Sequence, residues 1–275
     1  MQKRVIAVHD ISCVGKCSLT VALPILSACG IECSVLPTAV LSTHTGGFTG
    51  YTFRDLTDDL DPIIDHWKSL DLHVDAIYTG YLGSFKQLEI VSRLFDTFDS
   101  AIRLVDPVMA DNGVLYKGFD MDFVKGMLEL CKKADIVIPN ITEASLMLGK
   151  EYREDFCKEA WFEVASELTS LGPKATVLTG ATPKEGLIGA MYCTKDGDRG
   201  EKVTEHFDGY FHGTGDVFGS AFLAAYLAGK SLGDAVNCAV LYTAEAIRRT
   251  KQAGTEPRYG VDFEGALPLL LEMIK

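Results

Sequence analysis

The sequence predicts a three-layer α/β fold, with a mostly parallel central sheet and helices on both of its faces. Short apolar runs alternate with amphipathic stretches from one end of the 275 residues to the other. The apolar runs are nearly continuous, which is typical of strands that are buried on both faces. Beyond residue 180 the runs lie closer together, which indicates antiparallel strands at one side of the sheet.

The strands are predicted where apolar runs end in turn-forming or polar residues. The first is expected at 4–10, and a Leu- and Ala-rich helix follows at 18–30, closed by Gly30. The next five strands are predicted at 31–40, 75–82, 101–109, 134–140 and 174–180.

The remaining elements complete one domain over residues 1–275. An amphipathic helix is predicted at 123–133, because Phe123, Met127 and Leu130 share one face at helical spacing. The last elements are antiparallel strands at 186–194 and 201–211 and helices at 214–228 and 232–249. No internal repeat, low-complexity tract or linker divides the sequence.

Charge and composition restrict the partners. The chain has 38 acidic and 26 basic residues, a formal charge of −12, which opposes binding to nucleic acid or an anionic membrane. The apolar run from Val5 to Val8 is too short for a signal peptide, and no run approaches the about 20 apolar residues of a membrane span. We therefore expect a soluble, cytoplasmic protein, for which a small anionic ligand would need only a local site.

The eight cysteines do not predict a metal centre or disulfides. Two pairs, Cys13/Cys17 and Cys29/Cys33, have a spacing of four, but the tight CxxC pairs of structural zinc sites are missing. Scattered cysteines in a cytosolic chain usually serve as small core residues.

Residues 13–20, CVGKCSLT, only superficially match a nucleotide-binding P-loop. The P-loop requires Gly-x4-Gly-Lys-Ser/Thr, so that successive amides can wrap the phosphates. Here Cys17 follows Gly15-Lys16, and Asp10 stands where the first glycine belongs. An aspartate there would repel phosphate, and the match is rejected.

The stretch HGTGD at 212–216 is a better candidate phosphate site. Gly213 and Gly215 permit backbone torsions that other residues avoid and let a ligand approach the main chain. The helix that follows begins with unpaired amides and a partial positive charge, which together favour an anion. Asp216 could cap this helix, worth about 0.5–2 kcal/mol, or accept a proton from an alcohol that attacks the bound phosphoryl group.

Five segments carry a family resemblance. GTGDVFGSAFLAA, from Gly213 onward, resembles the GTGD signature of the ribokinase-like superfamily. Four others resemble the vitamin B6 branch, the pyridoxal and pyridoxine kinases: STHTGG at 42–47, TGYLGS at 79–84, DPVMAD at 106–111 and PNITEASLMLG at 139–149. Each alone is weak, but the five occur in the family's order. Thr43 departs from it, because asparagine is usual there.

The resemblance implies a ribokinase-like kinase domain that uses ATP to phosphorylate the 5′-hydroxymethyl group of pyridoxal, pyridoxine or pyridoxamine. Asp216 is the implied catalytic base, and Gly213, Thr214 and Gly215 are the implied anion hole. The other implied ligand contacts are His44, Thr45 and Tyr81 for the pyridine ring, and Asp111, Asn140, Glu143 and Thr179 for ATP with its Mg²⁺. The resemblance also implies a homodimer and leaves open the need for a monovalent cation.

The start of the chain departs from the family pattern. A serine that contacts polar substituents of the ring usually follows the first strand, whereas this sequence offers Asp10 and, two residues later, Ser12. Asp10 directly follows Val8-His9 and is the expected occupant of that position. Its carboxylate could accept hydrogen bonds from the phenol or the ring nitrogen, which leaves the preferred vitamer open.

The carboxylates have structural alternatives. Mg²⁺ prefers a few carboxylates plus water and phosphate oxygens, which suits Asp111 and Glu143 beyond predicted strands. Glu143 could instead be a charge in the first turn of a helix, and Tyr81 and His44 could be core residues. Asp106, before Pro107, is expected only to shape its turn.

Three other functions stay open. A hydroxymethylpyrimidine kinase of thiamine synthesis shares the fold and the GTGD turn, and its substrate is also a flat ring with a hydroxymethyl group. The His44-Thr45 loop favours B6. A sugar kinase would need more hydrogen-bonding side chains near the first strands. A non-catalytic binder of B6 or nucleotide has no use for a carboxylate at Asp216.

Overall fold

Nearly continuous apolar runs form the sheet that the sequence predicts. The structure is a computed structural model that describes residues 2–153 and 157–275. The strands are β1 (Arg4–Ser12), β2 (Glu32–Leu41), β3 (Phe53–Asp55), β4 (Ala76–Thr79), β5 (Ile102–Val105), β6 (Ala110–Asp111), β7 (Val114–Leu115), β8 (Ile136–Val137), β9 (Ala175–Ala181), β10 (Leu187–Thr194) and β11 (Arg199–Glu205).

Nine of these strands form one sheet in the order β11-β10-β9-β8-β5-β4-β1-β2-β3. The six strands from β9 to β2 run parallel, and β10, β11 and β3 are antiparallel to their neighbours. The small pair β6–β7 forms a separate hairpin. The predicted mostly parallel sheet, with antiparallel strands after residue 180, is confirmed.

Helices cover both faces. They are α1 (Leu19–Ala28), α2 (Thr57–Ser69), α3 (Phe85–Thr97), α4 (Met121–Lys132), α5 (Ile141–Met147), α6 (Lys158–Ser170), α7 (Thr214–Leu227), α8 (Leu232–Ala253) and α9 (Phe263–Met273). The sheet has a hydrophobic core on each face, and alternate residues of β1 pack into one or the other. Ile6 and Val8 pack in the cluster that contains the buried faces of α2 to α6, and Val5 packs in the cluster of α1, α7, α8 and α9.

The topology determines where a ligand can bind. The chain passes from β1 to β2 on one side and then crosses back to place β4 on the other side of β1. In open parallel sheets the crevice at such a reversal, beyond the carboxyl ends of the strands, is the usual ligand site. Asp10 and Ser12 lie at this point of β1.

Several strands are shorter than their apolar runs. The run at 101–109 forms a strand only as far as Val105, because Pro107 has no amide to donate and Val108 has a φ of 38°. The run at 134–140 contributes only Ile136–Val137. Within residues 2–153 and 157–275, no helix is both long enough and apolar enough to cross a membrane.

Candidate active site

A cavity of roughly 600 Å³ opens at the carboxyl edge of the parallel strands and reaches the start of α7. Every residue that the sequence analysis assigned to a ligand lines this one cavity. They are Asp10, Ser12, His44, Thr45, Tyr81, Asp111, Asn140, Glu143, Thr179, Gly213, Thr214, Gly215 and Asp216. Residues more than 200 positions apart in the chain thus share one site.

The start of α7 lies at the cavity. Gly213 is its N-cap, with a φ of 76°, and no side chain caps the helix, so its first amides have no side-chain acceptor. A Cβ at Gly213 would overlap the carbonyl oxygen of Lys16, so glycine is needed both for the torsion and for the contact. Gly213, Thr214 and Gly215 all line the cavity.

Asp216 does not cap its own helix. Its Oδ2 accepts a hydrogen bond from the backbone amide of Ser18 at 2.8 Å, which ties the carboxylate to the loop after β1. Burial raises the pKa of Asp216 to about 7; the amide of Ser18 opposes this shift and the nearby Asp10 adds to it. A carboxyl group with a pKa near neutrality is suited to exchange a proton with an alcohol.

Ser18 also binds Asp10. Its hydroxyl donates to Asp10 Oδ1 at 2.6 Å, and the hydroxyl of Ser12 donates to Asp10 Oδ2 at 2.9 Å. Burial raises the pKa of Asp10, while these two hydrogen bonds lower it. Each carboxylate oxygen keeps a further acceptor position, so Asp10 can still receive a polar group of a ligand.

Asn140 and Glu143 form a capping box at the start of α5. The Asn140 side chain accepts from the Glu143 amide, and Glu143 Oε2 accepts from the Asn140 amide, each at 2.9 Å. Glu143 Oε1 accepts from the Met109 amide at 2.9 Å. Burial raises the pKa of Glu143 to about 7, against the opposing effect of these amides. Glu143 therefore does stabilise the first turn of α5, as its structural alternative predicts, and it also lines the cavity.

Asp111 and Thr179 also line the cavity. Asp111 Oδ2 accepts from the hydroxyl of Tyr210 at 2.8 Å, and its Oδ1 accepts from the Asn112 amide at 2.9 Å. Thr179 donates its hydroxyl to the Pro139 carbonyl at 3.3 Å. Uncharged donors contact Asp111, so its negative charge is available to a cation.

Asp106 does more than shape the turn before Pro107. It is buried in the cavity wall, and burial, the charge of Glu143 and then that of Asp216 raise its pKa well above the ordinary range. The sequence analysis considered only the local effect of Pro107, which gives no information about the carboxylates that α5 and α7 bring close to Asp106.

The loop at 43–50 contacts the segments that carry Arg258 and His212 beside the cavity. His44 Nε2 lies 2.6 Å from the Arg258 carbonyl oxygen, and the His44 ring is 4.9 Å from that of His212. Burial lowers the pKa of both imidazoles. Thr45 and Tyr81 line the cavity beside them.

Sequence reasoning missed three residues that contact the predicted site residues or their loops. Ser18 connects Asp10 with Asp216, His9 lies behind Asp216, and His212 packs on Gly46. The one available signal was position: Ser18 lies within the rejected P-loop segment, and His9 directly precedes Asp10.

Acidic side chains outnumber basic ones in the lining of the cavity. Five carboxylates line it, those of Asp10, Asp106, Asp111, Glu143 and Asp216, and no lysine or arginine of the described chain does so. Within residues 2–153 and 157–275, no three His, Cys, Asp or Glu side chains converge as a ready-made metal cage. The donors present are hard oxygen ligands, which suit a partly hydrated Mg²⁺ more than zinc or copper.

The sheet topology and the site together define the chain as a small-molecule kinase of the ribokinase-like class. Residues 25–260 match the family described as phosphomethylpyrimidine kinase, and the chain belongs to this family.

Similar proteins include kinases of two related ring substrates. A Bacteroides thetaiotaomicron protein, provisionally named a phosphomethylpyrimidine kinase and crystallised with pyridoxal, is 37% identical, with a TM-score of 0.93 over 98% of this chain and 96% of that one. Pyridoxal kinase of Lactobacillus plantarum is 30% identical, with a TM-score of 0.91 over 99% and 98% of the two chains. The hydroxymethylpyrimidine/phosphomethylpyrimidine kinase of Bacillus subtilis is 27% identical over 227 residues, 79% of each chain.

Proposed function

We propose that this chain transfers the γ-phosphoryl group of ATP to the 5′-hydroxymethyl group of pyridoxal, pyridoxine or pyridoxamine. One observation carries the proposal: the Asp216 carboxyl group lies in the cavity beside the uncapped amides of α7 and does not cap that helix. A base for an alcohol and an anion hole for a phosphoryl group are thereby adjacent.

The transfer needs few protein groups. The alcohol oxygen forms a bond to the γ-phosphorus while the bond from that phosphorus to the bridging oxygen breaks, and ADP leaves with the bonding pair. The hydroxyl proton passes to Asp216. The amides at Gly213, Thr214 and Gly215 stabilise the negative charge of the phosphoryl oxygens. Thr179, which also lines the cavity, would contact the nucleotide phosphates.

The acidity of the cavity supports the need for a cation. ATP brings several negative charges to a wall with five carboxylates and no lysine or arginine among the described residues. Asp111 and Glu143, with Asn140 beside them, would hold Mg²⁺ and its waters, and the oxygen donors fit this ion. When bound, Mg²⁺ neutralises phosphate charge. The same charge argument supports a monovalent cation, for which we assign no residues.

The ring side of the cavity is proposed to hold the pyridine. His44, Thr45 and Tyr81 would line the ring, and Asp10 with Ser12 would meet its polar substituents. The B. thetaiotaomicron relative, crystallised with pyridoxal, supports this choice of ring. A hydroxymethylpyrimidine kinase is the second candidate, because the family description and the B. subtilis relative favour it.

One assay tests the proposal. ADP release is measured with the three B6 vitamers and with hydroxymethylpyrimidine, for the unsubstituted chain and for Asp216→Asn. We expect turnover with at least one vitamer at higher kcat/KM than with the pyrimidine. Asp216→Asn should lower kcat by at least about 10² with ligand affinity nearly unchanged.

Each other result identifies an alternative. Higher kcat/KM with hydroxymethylpyrimidine would support the second candidate. Binding of ATP and pyridoxal without any phosphorylated product would identify a non-catalytic binder. Turnover by Asp216→Asn close to that of the unsubstituted chain would reject Asp216 as the base.

Three wider features belong to the same proposal. We propose that residues 1–275 act as one kinase domain, that the chain is a homodimer, and that it works in the cytoplasm. The continuous nine-stranded sheet supports the first. Light scattering coupled to gel filtration measures the second, and a monomer mass would contradict it.

A further inference from the structure

His9 is a buried histidine directly behind the proposed base. It lies on β1, its side chain has no exposed surface, and neither ring nitrogen has a hydrogen-bond partner among the described residues. Its ring packs edge-on against that of Tyr78, with centroids 4.5 Å apart. A Cβ at Gly80 would overlap the imidazole, so the backbone of Gly80 supports the ring from another side.

The imidazole of His9 lies close to the Asp216 carboxylate. His9 Nδ1 lies 3.8 Å from Asp216 Oδ1, while Oδ2 of the same carboxylate accepts from the Ser18 amide. The carboxylate is therefore hydrogen-bonded by the loop after β1 and lies close to the ring of a β1 residue. An orphaned N–H in the protein interior is costly, and a small rotation would pair it with Oδ1.

The two groups do not form an ion pair. Burial lowers the pKa of His9 to about 3, so the imidazole is neutral at physiological pH and has one N–H to donate. The titratable groups that face it are Tyr78 from β4 and Asp216 from α7. Asp216 is itself influenced by Asp10, Asp106 and the thiol of Cys17.

We propose that His9 is a positioning residue, which carries its proton on Nδ1 and donates it to Asp216 Oδ1, holding this carboxylate ionised and aimed at the substrate alcohol. The proposal rests on the proposed role of Asp216 as the base. Hydrogen bonds between catalytic groups are often long without ligands and shorten in the substrate complex, which is consistent with 3.8 Å here.

The pH dependence of kcat tests the role of His9. His9→Leu removes the donor, and a carboxylate that loses a donor to its charged form titrates at higher pH. The acid limb of the kcat profile should therefore move up by about one to two pH units, with activity recovering at alkaline pH. His9→Asn, which offers a donor near the position of Nδ1, should move the limb back towards its original place.

Tyr78→Phe is the matched control. It disturbs the same packed pair of rings but keeps the imidazole, so the acid limb should not move. If His9→Leu leaves the limb in place, or lowers kcat equally at every pH, His9 is only a packing residue and the proposal is overturned.

A second measurement does not require a leucine variant that folds. In the full chain labelled with ¹⁵N-histidine, the His9 resonances should show the proton on Nδ1, and a proton on Nε2 would overturn the proposal. Failure of the underlying function is distinguishable from this result. If Asp216 is not the base, Asp216→Asn keeps its turnover; if only the His9 proposal fails, Asp216→Asn loses turnover and His9→Leu keeps its profile.

Discussion

Asp111 is the cavity carboxylate whose charge is most available to a metal ion. It is partly exposed, and its two oxygens accept from uncharged donors, the Tyr210 hydroxyl and the Asn112 amide. Glu143, in contrast, is buried and both of its oxygens accept from backbone amides. We infer that Asp111 contributes more of the attraction for Mg²⁺, and Glu143 more of the local structure.

Asp111→Asn should therefore change the metal requirement more than the maximal rate. The substitution removes one negative charge and one hard ligand, so we expect the Mg²⁺ concentration for half-maximal activity to rise at least tenfold. A titration of turnover with Mg²⁺ measures this. Asp208→Asn is the control, because the Asp208 side chain is fully exposed and does not line the cavity. Equal titrations for the two variants would contradict a metal role for Asp111.

Individual site residues were predictable when they end a strand or open a helix. Asp10, Asp111 and Asp216 were found in this way, because the carboxyl edge of a parallel sheet is the usual ligand side. Asp106 has an equally good position, but Pro107 offered a local explanation. Ser18 could not be found, because its contact with Asp216 joins residues 198 positions apart and no pattern in the chain records it.

Among the helices, α7 has a glycine at each end, and the two glycines meet different structural needs. Gly213 has a φ of 76° and lies against the Lys16 backbone. Gly229, with a φ of 92°, follows the helix, where the amide of Lys230 bonds the carbonyl of Ala225 in a Schellman arrangement. No described atom lies within 4 Å of a Cβ built at Gly229. Both positions thus need a left-handed torsion, but only Gly213 also has no space for a side chain.

Gly213→Ala should damage both stability and catalysis. The left-handed torsion and the overlap with Lys16 together should lower the free energy of unfolding by at least about 2 kcal/mol. The shift of the α7 start should also raise KM for ATP, because the first amides move. Urea unfolding and steady-state kinetics measure the two effects.

Gly229→Ala is the matched control for this pair. It carries only the torsional cost, about 1–2 kcal/mol, and should keep normal kinetics. If Gly229→Ala raised KM for ATP as much as Gly213→Ala, the effect would come from general weakening of α7. It would then give no support to an anion hole at Gly213.

The type and order of the main elements were predictable, whereas their ends often were not. Hydrophobic runs indicate where a strand is buried, but the strands in the runs at 101–109 and 134–140 end before Pro107 and Pro139, short of the ends of the runs. The strand predicted at 201–211 ends at Glu205, because the following residues leave the sheet and line the cavity. The two-residue strands of the β6–β7 hairpin are too short to leave a periodic signal.

For the whole molecule, the buried carboxylates of the site lower the free energy of unfolding at neutral pH. The pKa values of Asp216 and Glu143 rise to about 7, and those of Asp10 and Asp106 also rise. Between about pH 4, where these groups titrate in the unfolded chain, and pH 7, the folded protein binds more protons than the unfolded chain. The free energy of unfolding therefore falls as pH rises through this window.

Asp216→Asn should consequently stabilise the protein at pH 8 and give little advantage at pH 4.5. The amide oxygen still accepts from Ser18, while the charged form that burial disfavours is gone. The gain at pH 8 is at most about 4 kcal/mol, from a pKa shift of about three units. Urea unfolding at the two pH values measures it, with the exposed Asp208→Asn as control. A variant no more stable than the unsubstituted chain at pH 8 would mean that Asp216 is stabilised as a carboxylate, and the proton-accepting pKa near 7 would be wrong.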